Sequence, residues 1–298
     1  MKNIIYILSA GAILLSSCGN KKNNFDATGS FEAEEVIISS EANGVIKSLN
    51  IEEGQTLAAG EKIGYIDSTQ LYLKKKQLKA QIEAILSKRP NVGVQLSALE
   101  EQLKTAEKEQ QRISNLVKAD AGTTKQLDDI NANIAVIKKQ IEAQQSGLNI
   151  TSEGLSKETI PLDIQIEQLN DQLTKCNLVN PVKGTVLTKY AETNEMSAIG
   201  KALYKIADLS TMILRVYISG NQLTQVKLNQ KVKVRIDDGN GAFNETEGQV
   251  IWINDKAEFT PKTIQTKDER ANMVYAVKVA VKNNGNFKIG MYGEIKFE

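Results

Sequence analysis

Between Ser68 and Cys176 apolar residues recur at alternating steps of three and four. One series runs Leu96, Leu99, Leu103, Ala106, Gln110, Ile113 and Val117, and a second runs Leu127, Ile130, Ile134, Ile137, Ile141, Gln144 and Leu148. The positions between them are mostly Lys, Glu, Gln, Asp and Asn. A single narrow apolar seam on an otherwise polar helix marks a coiled coil. The series are separated by Ala119-Asp120-Ala121-Gly122-Thr123. Gly122 suits the left-handed residue after a helix end, and Thr123 with Gln126 forms a capping box that starts the next helix. Two seam helices joined by so short a turn run antiparallel. The pattern therefore predicts an α-helical coiled-coil hairpin over 68–177. Arms of about 50 residues would reach roughly 75 Å. Below the upper seam, Leu71, Leu78, Ile82 and Ile85 are answered by Leu162, Ile166, Leu169, Leu173 and Cys176. Asp67 with Gln70 is expected to cap the first arm. Pro90 and Gly93 are expected to interrupt the outgoing arm, and Gly147, Gly154 and Pro161 the returning one.

The flanks of the hairpin repeat each other. Shifted by 140 residues, Gly44 falls on Gly184, Ile46 on Val186, Glu52 on Glu192, Gly60 on Gly200, Ile63 on Leu203 and Ile66 on Ile206. Both copies are strand-like, with turns at Gly44, Glu53-Gly54-Gln55 and Ala59-Gly60-Glu61 in the first. Half a β unit cannot bury its own apolar face, so the halves at 31–67 and 178–208 are expected to form one domain, split by the hairpin. Residues 209–298 read as a second all-β domain, a barrel. Its strand candidates are 212–218, 232–236, 248–253, 273–281 and 293–297, and Asp237-Asp238-Gly239-Asn240-Gly241 reads as a hairpin turn. Ser219 with Gln222 offers a cap for a short helix. Trp252 reads as a core residue of its strand. The fold class is mixed α and β, multidomain.

Composition narrows the chemistry. The chain has 298 residues, no His and a net charge of +1, and 5% of its residues are aromatic. The lack of His removes His-based metal sites, the Ser-His-Asp triad and the usual general base. No catalytic residue and no metal ligand set is identified, so an enzyme is the least expected class. The near-neutral balance offers nothing to a nucleic acid. The five Met residues are scattered, which gives no copper relay.

Lys2, the apolar run Ile4 to Leu15 and then Leu15-Ser16-Ser17-Cys18 form a targeting segment too short for a comfortable membrane span. This segment resembles the bacterial lipobox, in which the signal is cleaved before a Cys that is then acylated. The resemblance implies a signal peptide at 1–17, lipidation at Cys18 and a lipid-anchored tether at 18–30. An ordinary signal peptide with an incidental Cys is the alternative. With Cys18 acylated, Cys176 is the one thiol left, and it reads as a small core hydrophobe.

A lipoprotein signal, a split β domain carrying a helical hairpin, and a barrel together resemble the periplasmic adaptor subunits, or membrane fusion proteins, of the HlyD family. Asn43-Gly44-Val45-Ile46 with Glu52-Glu53-Gly54-Gln55, and Pro181-Val182-Lys183-Gly184-Thr185-Val186, are similar to the halves of that family's lipoyl/biotinyl-like domain. Ala257 to Thr266, followed by Arg270, is similar to a barrel motif of adaptors that serve ABC exporters. At the hairpin tip the family docks a TolC-like outer-membrane channel through an Arg, a Leu four residues on and a Ser seven further. Arg112, Leu116 and Thr123 stand at that spacing, with Thr in place of Ser. A solvated Arg, a seam-edge Leu and a capping Thr are the plainer reading of these three residues.

The resemblance implies a non-enzymatic adaptor that links an inner-membrane exporter to the outer-membrane channel for efflux or secretion. It would be a homo-oligomer, six copies as a rule, in the periplasm of a Gram-negative bacterium and lipid-anchored to the inner membrane. An ABC transporter is the expected motor. The chain ends at Glu298, directly after the last barrel strand, whereas adaptors of RND pumps usually continue into a further domain. An RND-type pump and an envelope lipoprotein scaffold or carrier, with the hairpin as spacer, are the alternatives. The hairpin replaces the turn that holds the modified Lys of lipoyl domains, so no cofactor is expected. The exported substrate is not written in the sequence.

Overall fold

The computed structural model describes residues 25–237, 243–259 and 273–297. Its elements are β1 (Ala27–Glu32), β2 (Glu35–Ser39), β3 (Gly44–Leu49), β4 (Thr56–Leu57), β5 (Lys62–Ile66), α1 (Thr69–Leu86), α2 (Val92–Lys118), α3 (Thr124–Lys175), β6 (Asn177–Val179), β7 (Gly184–Lys189), β8 (Met196–Ser197), β9 (Ala202–Ala207), β10 (Thr211–Ser219), β11 (Lys231–Asp237), β12 (Phe243–Ile253), β13 (Glu258–Phe259), β14 (Met273–Lys282) and β15 (Tyr292–Phe297).

The internal repeat is a repeat of structure. β3, β4 and β5 recur 140 residues later as β7, β8 and β9. The turns recur with them: Gly54 and Asn194 have φ of 86° and 72°, and Gly60 and Gly200 have 81° and 86°. Each half contributes strands to both sheets, whose orders are β2-β9-β7-β4 and β6-β5-β3-β8. The hydrogen bonds that join the halves come in matched pairs. Gly54 N–H donates to the Val186 carbonyl and Asn194 N–H to that of Ile46, both at 2.8 Å. Gly60 N–H donates to Asn180 and Gly200 N–H to Ser40, again at 2.8 Å. Neither half satisfies its backbone alone, so each needs the other. Their shared core includes Ile46, Leu57 and Ile66 from one half and Val186, Leu203 and Ile206 from the other. At Gly44, φ is 147° and a Cβ would lie 2.8 Å from Ile66 Cγ2, so the strand can start there only with glycine.

The side chains break this symmetry in one place. Buried Tyr204 donates its hydroxyl to Asn180 Oδ1 at 2.9 Å, and Asn180 Nδ2 donates to the carbonyls of Ala58 and Val182. The counterparts of these residues are Gly64 and Ser40. Burial pushes the Tyr204 phenol up to about 12. Cys176 also belongs to this core rather than to the helical seam, and its burial pushes the thiol up.

The arm consists of α1 and α2 lying end to end along the single helix α3. Three cross-arm contacts share one register: Gln110 with Asn131 at 2.6 Å, Glu107 with Lys138 at 3.2 Å, and Arg89 with Ser156 at 2.6 Å. Ala106, Ile134 and Ile137 form the buried centre of the upper seam, flanked by Leu103, Ile130 and Ile141. Of the expected interruptions, the outgoing one occurs, at residues 87–91, where Asn91 Oδ1 caps α2 by accepting from Val94 N–H. The returning one does not. α3 runs 52 residues through Gly147, Gly154 and Pro161, a length of about 78 Å. Each of these residues weakens a helix, but Leu148 above and Thr159 below are buried against α2 and α1 and hold the helix across them. The first cap is also displaced. Asp67 Oδ1 accepts from Thr69 N–H at 3.0 Å, and Gln70 takes no part.

The barrel closes in the order β10-β1-β15-β11-β12-β14 and back to β10, with β13 added to β14. β1 corrects the expected division of the chain. Residues 27–30 were assigned to the tether and 31–32 to the split domain, yet all six pair with β10 or β15 in the barrel. Phe31 is fully buried there, stacked on Phe287 at 5.0 Å. Trp252 is a second correction. The β12 register shifts between Val250 and Trp252, and the irregularity leaves Ile251 and Trp252 consecutively exposed, Trp252 with Lys278 Nζ 5.4 Å from its ring centroid. The expected short helix is one 3-10 turn, Leu223–Gln225. Gln222 Oε1 accepts from both Ser219 N–H and its hydroxyl.

Candidate docking site at the tip of the helical arm

α2 ends at Lys118, and the chain reverses in five residues to begin α3. The left-handed residue is Asp120, with φ of 55°, and not Gly122 as expected. Asp tolerates that region because its short polar side chain bonds locally. Gly122 serves a different purpose. A Cβ there would lie 3.1 Å from Val117 N and 3.3 Å from Leu116 Cβ, so the turn folds flat onto the end of α2. The Leu116 carbonyl accepts from Ala119 N–H at 3.1 Å and Ala121 N–H at 2.9 Å, which ties off the helix.

Thr123 is the N-cap of α3. Its Oγ1 accepts from Gln126 N–H at 3.3 Å, and Gln126 Oε1 accepts from Thr123 N–H at 3.0 Å. The capping box that the sequence predicts is present. One lone pair of the Thr123 oxygen is thereby used inside the turn.

Arg112 and Leu116 are one helical turn apart on α2 and so share a face. The Arg112 side chain is 70% exposed and pairs with Glu109. That carboxylate raises the affinity of the guanidinium for its proton. Leu116 is 42% exposed, unusual for a Leu at the end of a seam helix. The tip therefore shows a cation and an apolar side chain on one face, with the Thr123 hydroxyl exposed at the turn beyond. The sequence reading did not include Glu109 or Asp120. An acidic residue three before an Arg on a helix is the signal for the first.

The remaining assigned residues do not join this site. Cys18, residues 1–17, and Thr260 to Thr266 with Arg270 lie outside the described residues. Among the described residues, no group of three His, Cys, Asp or Glu is placed to hold a metal ion, and no helix is long and apolar enough to cross a membrane.

No family model matches the chain. It is 24% identical to the UPF0194 membrane protein in asrC 5'region of Acidithiobacillus ferridurans, over 97% of this chain and 92% of that protein. Its fold is similar to that of MacA from Actinobacillus actinomycetemcomitans, with a TM-score of 0.54 and 22% identity over 92% of this chain and 78% of that one. A MacA-MexA chimera containing the Pseudomonas aeruginosa MexA alpha-hairpin domain gives 0.51 and 22%, over 93% and 83%. The chain thus has the mixed α and β fold of these proteins.

Proposed function

We propose that this chain is a non-enzymatic periplasmic adaptor, a membrane fusion protein joining an inner-membrane exporter to an outer-membrane channel. The observation that carries the reading is the arm. A helix of 52 residues forms a rod about 78 Å long, and that rod has little core of its own. It stands on a split β unit and ends in an exposed Arg and Leu. A rod of this shape spans distance, and its tip suits insertion between helices of another protein. In this reading the coiled-coil hairpin carries the tip, and the split β unit is the lipoyl-like domain. Arg112, Leu116 and Thr123 form the contact with a TolC-like channel. Acylated Cys18 anchors the chain to the inner membrane, and the adaptor works as a homo-oligomer, a hexamer by family habit. The barrel motif favours an ABC exporter as motor over an RND-type pump.

Site-specific photo-crosslinking in intact envelopes tests this. A photo-reactive residue at Leu116 is expected to capture an outer-membrane channel, and one at exposed Tyr292 of the barrel an ABC permease. Capture of a proton-driven pump at Tyr292 overturns the choice of motor. Capture of no transport component at either position overturns the adaptor reading in favour of a scaffold or carrier.

A further inference from the structure

The arm buries one seam, yet it shows two further apolar stripes to solvent, one on each outer edge. On α3 the stripe is Val136, Ala143, Gly147, Ile150, Gly154 and Ile164, which keeps the three-four step of a seam. Val136, Ile150 and Ile164 are 54%, 68% and 51% exposed. Gly147 and Gly154 have no steric reason within the chain, since a Cβ at either would meet nothing within 4 Å. On the outgoing arm the stripe is Leu73, Ala80, Ala84, Val94 and Ala98, with Leu73 and Val94 49% and 68% exposed.

The stripes lie at the same heights. The Arg89–Ser156, Glu107–Lys138 and Gln110–Asn131 contacts place Ile150 level with Val94 and Ile164 level with Ala80. Large residues on one edge thus stand level with small or mid-sized ones on the other. The exposed charges match as well. Lys157 and Lys139 on α3 have Glu83 and Glu101 one turn nearer the base on the outgoing arm, and Glu153 has Lys88 in the same relation. A neighbour displaced by one turn would pair all three.

We infer that the occupant of each stripe is a second copy of this chain, whose outgoing arm packs side by side and parallel against α3. The contact joins two different faces, so it propagates from copy to copy and closes into a ring. The α3 stripe is about 42 Å long at 1.5 Å per residue and about 10 Å wide, roughly 800 Å² counted over both partners. That is below the ~1,200 Å² of a stable pair. A dilute soluble chain therefore stays monomeric, and the ring forms where copies are concentrated on a membrane. The inference deepens the assembly part of the adaptor reading but stands on the arm alone.

The test is disulfide trapping of the full chain in bacterial membranes, with cysteines replacing Ile150 and Val94. The two positions face outward on opposite arms, beyond the ~7 Å Cα reach of a disulfide within one chain. Oxidation of the I150C/V94C double variant is expected to give a ladder of dimers, trimers and larger species above the native-cysteine background. I150C or V94C alone is expected to give none, and a mixture of the two single variants dimers only. Dimers from I150C alone, or no species from the double variant, would overturn the inference. Both side chains are exposed, so unchanged thermal melting verifies folding. A ladder without channel capture at Leu116 leaves this contact standing and removes the adaptor reading, and capture without a ladder does the reverse.

Discussion

The β unit and the helical arm bury apolar surface in opposite ways. In the β unit, Ile46, Leu57, Ile66 and Ile206 are fully buried. Each half of that core comes from chain segments 140 residues apart. In the arm the best-buried side chains keep some exposure, from 4% at Leu96 to 9% at Leu148. The arm is a row of local contacts, each close to water and supported by its neighbours along the row. The β unit either closes as a whole or does not close. The difference teaches where each can fail, since losses in the core are global and losses in the arm open a few turns.

The largest effect should come from Ile206→Ala, which removes a fully buried side chain from contact with both halves. A loss of about 2–5 kcal/mol is expected in denaturant melts, cooperative across the β unit. The matched change in the arm, Ile137→Ala, should leave that transition in place and instead raise amide exchange around 130–141. Equal global losses from the two variants would break the comparison.

Glycine substitutions sharpen it through their sign. Gly44→Ala puts a Cβ 2.8 Å from Ile66 Cγ2 at a φ of 147°, and should cost about 1–3 kcal/mol. Gly154→Ala places a methyl in open space on a helix, and should stabilise the monomeric arm by up to about 1 kcal/mol. Thermal melts followed by helical signal at low protein concentration separate the two. A destabilised Gly154→Ala would mean that the arm uses this glycine within one chain.

Much of this contrast was legible in the sequence, because both patterns are periodic. The three-four step exposes a seam wherever one occurs, and the offset of 140 residues aligns strand with strand and turn with turn. At the tip, the shared face of Arg112 and Leu116 and the box at Thr123 follow from spacing alone. β1 was not legible. Ala27-Thr28-Gly29-Ser30-Phe31-Glu32 has one large apolar residue, and Gly29 is there because a Cβ would overlap the Arg215 carbonyl of β10. Only the position of a strand far along the chain explains it. Pro161 misled for the converse reason: a local breaker was overruled by packing on both sides. Trp252 misled because a register shift moves a side chain from one face to the other without changing composition.

The finest test lies where the two halves of the β unit differ. Tyr204→Phe removes the hydroxyl that Asn180 Oδ1 accepts from, while Asn180 keeps its bonds to Ala58 and Val182. At neutral pH the cost should be about 1 kcal/mol. The pH dependence is more telling. The folded phenol ionises near 12 against 10 for an ordinary one, so between these values the unfolded chain has released a proton that the folded chain retains. Stability then falls as pH rises from 10 towards 12, and Tyr204 adds no slope below that window. Tyr217, also raised by burial, adds a slope of the same sign. The difference between the native chain and Tyr204→Phe isolates the one residue. Their stabilities should converge as pH rises through the window, because the variant lacks the group that penalises the native fold. If the two curves stay parallel from neutral pH to pH 12, the phenol is not held neutral in the core. The asymmetry between Tyr204 and Gly64 would then be a matter of packing volume, and the β unit would depend on shape alone, as the arm does.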